Sequence, residues 1–249
     1  MIQFDQQSGF VAGTLVHTDK GLVPIQDVKV GDLVLSSPQQ SDGSLREYKR
    51  VVNTFRAESE DVWQLGLLCY KSLDTSDDLQ MIKEFVYLTK KHPVYLADSD
   101  EFRPNKSKQW VIASDLIPDE RILLITNEGD GKFDVASIKP VYQIDIDKGF
   151  CYEQDAWSDF HSFVKFNKAE SYETIGYWND TPYDYEVSRG NFRVFDYAID
   201  KSLQSLMGEN INALKILKMP MFNLEVDDYR TYFVGELGLW VHSAFTNIS

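Results

Sequence analysis

The chain has 249 residues, of which 43% are hydrophobic and 26% charged, the composition of a globular protein long enough for one large domain or two small ones. Its formal net charge is −14, and because an acidic surface repels a phosphate backbone, nucleic acid is a poor candidate partner and a basic protein or peptide a better one. The same charge also serves simply to keep a protein in solution.

The first elements predicted along the chain are two apolar strands. Residues 1–8 have neither the basic flank nor the apolar core of a signal peptide, so we interpret them as a short leader. An apolar strand is expected at residues 9–18, and a Val-Gly-Asp turn at residues 30–32 begins the second strand. No run approaches the ~20 apolar residues that span a bilayer, which predicts a soluble chain without a membrane partner.

Strand patterns continue to about residue 147. Residues 46–56 and 61–70 predict a hairpin, with its turn near residues 58–60. Aromatic residues make up 13% of the chain and β-branched residues are frequent, and both are typical of strands. Many short strands separated by turns predict a mostly β protein with a barrel-like or sandwich architecture.

Residues 149–219 have a different character. Aromatic residues are spaced among charges, and apolar residues from Phe195 to Leu217 recur at steps of three and four, which predicts a helical face. This face either packs on the β core or binds a partner. Two further strands, at residues 221–235 and 239–243, are expected to return to the start of the chain.

The cysteines and two of the histidines show no catalytic or metal-binding spacing. Cys69 and Cys151 lie far apart without a C-x-x-C motif, so we interpret them as unrelated thiols. His17 falls in the opening strand and is predicted to be structural, whereas the isolated His161 is predicted to lie on the surface. No metal or cofactor is expected.

Four separated blocks, in this order, resemble the Hint (hedgehog/intein) family, in particular the Hint domains that precede toxins in bacterial polymorphic toxin systems. The blocks are G-F-V-A-G-T-L-V from Gly9, T-K-K-H-P from Thr89, W-V-I-A-S-D-L from Trp110, and N-L-E-V, T-Y-F-V-G and V-H from Asn223 onwards. The resemblance implies a mostly β, horseshoe-like Hint fold with a mixed aromatic and helical insertion. It implies a division into a leader (1–8), a Hint domain (9–148 plus 220–243), an insertion (149–219) and a tail (244–249).

Members of the Hint family break a peptide bond in their own backbone. A cysteine thiol attacks the carbonyl immediately upstream, which requires a proton for the leaving nitrogen and hydrogen-bond donors for the oxyanion. The resemblance assigns protonation of the amide to His92, support of the oxyanion to Thr89, and cyclisation of a following asparagine to His242. Pro93 favours an extended backbone at His92, which suits a ring aimed into a cleft. The alternative is a turn histidine with a satisfied hydrogen bond.

Three positions depart from the family pattern. Gly9 occupies the position of the cysteine, Ser243 that of the asparagine, and Arg230 that of a histidine. Glycine has no side chain that can attack, and a hydroxyl cannot form the succinimide that releases a downstream segment. Ser8 precedes the missing nucleophile, but neighbouring residues of a strand point to opposite faces. We therefore expect that the chain does not cleave itself.

Two functional hypotheses follow from these observations. The first is a Hint-type autoprocessing domain, associated with toxin release, whose activity is absent or blocked. The second is a catalytically inactive Hint-fold module that binds a protein through the aromatic-rich residues 149–219. The expected partners are a toxin cargo, an immunity factor or a secretion-system component, in the cytoplasm or exported within a larger toxin system. A homing-endonuclease insertion is disfavoured, because this region is short and lacks the helical motif of such nucleases.

Overall fold

The computed structural model describes most of the chain, namely residues 8–72, 79–98, 109–116, 121–126, 129–152, 160–167, 171–178, 181–182 and 214–243. Almost every regular element in these ranges is a β-strand, which confirms the predicted mostly β class. The helical elements that they contain are two single 3₁₀ turns, Ile25–Asp27 and Ala113–Asp115. Within the described ranges, no helix has the length and apolarity needed to cross a bilayer.

Nineteen strands are defined within the described ranges. They are β1 (Phe10–Val11), β2 (Leu15–Thr18), β3 (Gly21–Pro24), β4 (Leu33–Ser36), β5 (Glu47–Asp61), β6 (Trp63–Ser72), β7 (Leu79–Leu88), β8 (Pro93–Asp98), β9 (Gln109–Ile112), β10 (Arg121–Thr126), β11 (Gly129–Pro140), β12 (Tyr142–Asp145), β13 (Lys148–Tyr152), β14 (Phe160–Asn167), β15 (Ser171–Trp178), β16 (Thr181–Pro182), β17 (Lys218–Val226), β18 (Thr231–Val234) and β19 (Leu239–His242).

These strands form two antiparallel sheets. The larger sheet follows the order β10-β11-β6-β7-β1-β17-β5-β4-β2-β18-β19-β8-β9, with β3 paired to β2, and β10 also paired to β8 and β19. The smaller sheet has the order β12-β13-β14-β15-β16. The opening strand β1 lies between β7 and β17, and the closing strand β19 pairs with β8 at Val241 and Val94. Both ends of the described chain therefore meet the strands that flank His92.

The long strand β5 corrects the predicted hairpin at residues 46–70. Glu47–Asp61 is one continuous strand, and it pairs with β4 and β17 rather than with β6. Its residues largely alternate between exposed and half-buried positions, so residues 58–60 extend the strand where their charge had suggested a turn. The next strand, β6, pairs instead with β7 and β11.

Strand β1 separates two hydrophobic clusters. Phe10 is buried in the main cluster of the larger sheet, together with residues such as Leu88 and Leu224. Its neighbour Val11 belongs to a second cluster, which includes Val164 and Phe166 of the smaller sheet. Because successive residues of a strand point to opposite faces, this short strand is packed on both sides. The packing fixes the backbone that leads back to Gly9.

A chain of buried polar side chains joins the two sheets, and we call it the polar bridge. Gln64 Nε2 donates to the Tyr87 hydroxyl at 2.8 Å, and Ser162 Oγ donates to Gln64 Oε1 at 2.9 Å. The Tyr87 hydroxyl also lies 2.7 Å from Thr174 Oγ1. Gln64 and Tyr87 belong to the larger sheet, and the other two residues belong to the smaller one. The two sheets are therefore connected by hydrogen bonds as well as by apolar contact.

The region predicted as an insertion is described in part. The smaller sheet begins at Tyr142, before the proposed boundary at residue 149, and the division into domains stays a prediction. Most of the apolar stripe from Phe195 to Leu217 lies outside the described residues. Its last part is extended rather than helical, because Ile216 forms a β-bridge with Tyr142. The leader, apart from Ser8, and the tail at 244–249 also lie outside the described residues.

Candidate active site

The site is built around the peptide bond between Ser8 and Gly9. The backbone N–H of Gly9 donates to Thr89 Oγ1 at 3.1 Å, and the N–H of Thr89 donates to the carbonyl of Gly9 at 2.9 Å. Thr89 follows strand β7, which pairs with β1, so strand pairing brings these two residues together. The threonine side chain thus contacts the nitrogen side of the Ser8–Gly9 bond.

Asn223 of strand β17 contacts the carbonyl side of the same bond. Its Nδ2 donates to the carbonyl oxygen of Ser8 at 2.8 Å and lies 3.3 Å from Ser8 Oγ. Sequence reasoning assigned no role to this residue. The available signal was a polar side chain in the middle of an apolar strand, where a buried amide needs hydrogen-bond partners. Ser8 and Asn223 are both buried, at 5% and 2% exposed.

Position 9 has little room for a side chain. An ideal Cβ built on Gly9 lies 2.7 Å from the carbonyl oxygen of Phe222 and 3.2 Å from Cβ of Met221. Both contacts belong to strand β17, and the closer atom is main chain, so any larger residue requires that strand to move. In this backbone arrangement, glycine is the residue that fits.

His92 lies beside β1 in a fully buried position. Its backbone N–H donates to the carbonyl of Thr89 at 3.0 Å, and its ring centroid is 4.3 Å from that of Phe10. The ring lies near the backbone of His242, but neither ring nitrogen forms a hydrogen bond of good geometry with the described residues. The pKa of His92 is lowered to about 3, chiefly by burial and then by the charge of His242, against a contact with the His242 backbone that favours the charged form. The imidazole is therefore neutral at physiological pH.

His242 ends strand β19 and is also buried. Its Nδ1 lies 2.6 Å from the carbonyl oxygen of Ser243, and its ring meets that of Trp110 edge to face at 5.4 Å between centroids. Burial lowers the pKa of His242 to about 4; the backbone contact with Ser243 opposes the shift, and the charge of Arg230 adds to it. This ring is likewise neutral near pH 7.

Ser243 and Arg230 are linked through the main chain. The backbone N–H of Ser243 donates to the carbonyl of Arg230 at 2.9 Å, and Ser243 is buried. Arg230 sits in the turn before β18 with a φ of +55°, and it is exposed. The structure thus brings Gly9, Thr89 and His92 together and places His242 and Ser243 next to that group. Arg230 borders the site through its backbone.

The other histidines lie apart from this group. His17 in β2 is half-buried, and its Nε2 lies 2.9 Å from the carbonyl oxygen of Gly235, a position that serves the β18–β19 turn. His161 is in strand β14. The described residues contain no group of three or more His, Cys, Asp or Glu side chains that could hold a metal ion. Cys151 is buried.

The arrangement combines three chemical abilities. Thr89 and Asn223 hold the two ends of one peptide bond, so its orientation is fixed. The amide of Asn223 donates to the carbonyl oxygen that becomes negative when a nucleophile adds to this bond. A neutral buried imidazole at His92 can exchange a proton, while position 9 offers no nucleophile.

The solved structures that this chain resembles are inteins and intein-like domains. A bacterial intein-like domain from Clostridium thermocellum has a TM-score of 0.47 and 19% identity, covering 94% of this chain and 98% of its own. A variant of the Ssp DnaB mini-intein has a TM-score of 0.49 and 10% identity, with 99% and 100% covered. A DnaB intein from Synechocystis sp. PCC 6803 has a TM-score of 0.48 and 10% identity, with 96% and 99% covered.

No protein-family model matches the sequence, and no curated protein matches it either. At sequence identities this low, function has to be argued from the site itself.

Proposed function

We propose that this chain is a Hint-type autoprocessing domain that keeps the apparatus for handling the Ser8–Gly9 bond but, with glycine at position 9, does not cleave itself. The observation that carries the proposal is the double contact on that bond, from Thr89 on its nitrogen side and Asn223 on its carbonyl side. A peptide bond that serves only as a link between strands needs no such pair of side chains. The four sequence blocks that resemble the Hint family supply the same residues.

The proposed reaction in an active form is an acyl shift. A thiolate at position 9 would add to the carbonyl carbon of Ser8, and the negative oxygen would be stabilised by the amide of Asn223. The carbon–nitrogen bond would then break as the nitrogen takes up a proton with the help of His92. The product is a thioester, from which an external thiol releases the segment before position 9. Gly9 removes the first step.

The first experiment asks whether the chain with Gly9 and Ser243 cleaves. The purified protein is incubated at neutral pH with and without a thiol, and its intact mass is followed. We expect no loss of mass, because neither Gly9 nor Ser243 carries the group that the family's chemistry needs. A fragment that ends at residue 8 or begins after residue 243 would show that the chain is active as it stands.

The second experiment restores the nucleophile. Gly9→Cys is expected to show slow, thiol-dependent loss of the residues before position 9, since a Cβ there must displace strand β17. The variants Gly9→Ala and Gly9→Cys with His92→Ala are the matched controls, and both should stay intact. A folded Gly9→Cys variant that never cleaves would contradict a retained apparatus.

A second candidate function is supported by the close packing at position 9. With the Phe222 carbonyl 2.7 Å from an ideal Cβ, the site fits a glycine and favours a scaffold adapted to a non-catalytic role, such as a protein-binding, immunity or adaptor module. An association with the release of a bacterial toxin is part of the first proposal, the autoprocessing domain. Affinity purification from the source cell, with position 9 as glycine or cysteine, separates the two: a binding module keeps its partners whether or not cleavage returns.

A further inference from the structure

The amide of Asn223 is held in one orientation by two donors. Its Oδ1 accepts a hydrogen bond from the Tyr232 hydroxyl at 2.7 Å and another from the backbone N–H of Leu224 at 2.8 Å. An amide oxygen can accept both bonds, whereas an NH₂ group cannot accept either. The nitrogen must therefore face Ser8, where it donates to the carbonyl at 2.8 Å.

We propose that Tyr232 is a positioning residue that acts through Asn223 to fix and polarise the carbonyl of Ser8. The inference deepens the proposed function and rests on it, because this carbonyl is the one that a nucleophile at position 9 would attack. Without the Tyr232 hydroxyl, the oxygen of the Asn223 amide keeps only the Leu224 N–H as a donor. The amide is then held less firmly and polarised less, so its hydrogen bond to the Ser8 carbonyl is weaker.

The surroundings of Tyr232 suit this role. Tyr232 is 0% exposed, and burial raises the pKa of its hydroxyl well above the usual range, so it remains a neutral donor. A donor bonded to an amide oxygen polarises that amide and strengthens its N–H groups as donors in turn. The hydroxyl of Tyr232 thus strengthens the bond from Asn223 to Ser8 as well as orienting it.

The ring of Tyr232 is held by contacts with strands β1 and β19. It meets Phe10 edge to face at 6.3 Å between centroids, and Phe10 in turn contacts His92 at 4.3 Å. Strand β18 also pairs Tyr232 with Val241 of β19. These contacts connect the proposed positioning residue to the same aromatic group that packs against His92.

The chain allows a direct test, since its sequence contains a single Ser-Gly dipeptide, Ser8–Gly9. Labelling serine with ¹³C at the carbonyl and glycine with ¹⁵N gives one carbonyl-to-nitrogen correlation in the NMR spectrum of the full-length protein. In Tyr232→Phe we expect the Ser8 carbonyl signal to move upfield, as it does when a carbonyl loses a donor. The side-chain amide protons of Asn223 should also exchange faster with water.

Two variants complete the comparison. Asn223→Asp keeps the shape of the side chain but replaces the NH₂ donor by oxygen, so it should move the Ser8 signal at least as far. Tyr87→Phe removes the hydroxyl of another fully buried tyrosine, in the polar bridge, and should leave the signal in place. An unchanged Ser8 signal and unchanged Asn223 exchange in a folded Tyr232→Phe variant would overturn the proposal.

The unmodified protein provides a second decision if Tyr232→Phe does not fold. The side-chain amide protons of Asn223 should exchange far more slowly than those of the half-buried Asn53, whose amide oxygen accepts from the N–H of Thr54 in a solvent-exposed hydrogen bond. Equal exchange at the two residues would also overturn the proposal. None of these readouts needs cleavage, so a failure here is distinct from a failure of the mass assay on Gly9→Cys.

Discussion

The two sides of the candidate site are held by different kinds of contact. On the starting side, the Ser8–Gly9 bond is held by the side chains of Thr89 and Asn223. On the closing side, the backbone N–H of Ser243 bonds to the carbonyl of residue 230, and the His242 ring contacts the carbonyl of its own neighbour, Ser243. The starting side is therefore joined by side chains that come from distant strands, and substitutions of those side chains should have specific effects. At Ser243 itself, the backbone contact persists whatever the side chain, so substitution there should be better tolerated.

Acid should produce the largest effect, and it acts on one histidine from each side. The folded state lowers the pKa of His92 to about 3 and that of His242 to about 4, so the unfolded chain takes up protons first as the pH falls below about 6.5. The contribution of the two histidines to the free energy of unfolding should be fully present above that pH and should decrease steadily toward pH 4. With about 1.4 kcal/mol for each unit of pKa shift, the combined loss is several kcal/mol.

Denaturant titrations at pH 7.5 and pH 4.5 measure this loss. In His92→Leu the loss should shrink, because the buried titrating group is gone. A His92→Leu variant with the same pH dependence as the natural protein would contradict a buried neutral ring at this position.

Replacement of Asn223 should have the next largest effect. Asn223→Leu leaves the Tyr232 hydroxyl, the Leu224 N–H and the Ser8 carbonyl without their shared partner, at a cost of about 2–4 kcal/mol in the free energy of unfolding. Asn53→Ala at the surface, which removes only a local contact with Thr54, should cost less than about 0.5 kcal/mol. Chemical denaturation compares the two variants. Similar decreases in the free energy of unfolding would show that the hydrogen bonds of Asn223 do not stabilise the fold more than a surface contact does.

A matched pair of small substitutions compares the two sides directly. Gly9→Ala adds a methyl group against the Phe222 carbonyl and should destabilise the protein by about 1–3 kcal/mol. Ser243→Ala removes a buried hydroxyl but keeps the backbone contact to residue 230, with an expected cost of about 0.5–1.5 kcal/mol. The midpoints of thermal unfolding of the two variants provide the measurement. A larger decrease for Ser243→Ala than for Gly9→Ala would contradict the expectation that the starting side is the more sensitive one.

The smallest effect is expected at Glu84, which serves the turn between β18 and β19. The pKa of Glu84 is raised to about 7, chiefly by burial of its carboxylate. The hydrogen bonds that the carboxylate accepts from the N–H groups of Glu236 and Leu237 oppose this rise, and the charge of Glu236 adds to it. The folded state therefore binds this proton more tightly than the unfolded chain. On this account alone, stability should decrease as the pH rises from about 4.5 to 7, opposite to the histidines.

Glu84→Gln isolates this contribution. The amide keeps an oxygen that can accept from the turn but has no charge to bury. Because Glu84 is only half-buried, solvent screens its charge, and the variant should gain only about 1 kcal/mol at pH 8 and nothing at pH 5. Denaturation at these two pH values provides the measurement. An equal gain at both values would mean that Glu84 does not titrate in the folded protein.

The sequence contained enough information for the class of fold, and several residues that it proposed for the site lie close together in the structure. Apolar strands punctuated by turns predicted a mostly β protein, and the separate blocks at Gly9, Thr89 and His242 lie near one another in space. That proximity depends on strand pairing across more than 200 residues, which no local pattern encodes. The family resemblance supplied it, and the chemical roles of these residues stay predictions.

The remainder could not be predicted for physical reasons specific to each residue. Asn223 was passed over because a polar residue in an apolar strand becomes meaningful only when its partners, Ser8 and Tyr232, are known. Residues 58–60 were misread because a polar stretch with two successive exposed residues, Glu58 and Ser59, resembles a turn. The crowding at Gly9 comes from the backbone of Phe222, distant in sequence, and no composition reveals it.

The polar bridge has a consequence for how this protein can be shortened. Removing the strands that carry Ser162 and Thr174 would leave the amide of Gln64 and the hydroxyl of Tyr87 without these hydrogen-bond partners. It would also expose apolar residues of the second cluster, such as Val11, to solvent. A truncated version would therefore need compensating mutations on the newly exposed surface. Without them it should self-associate through that surface. The smallest piece that behaves well on its own includes both sheets.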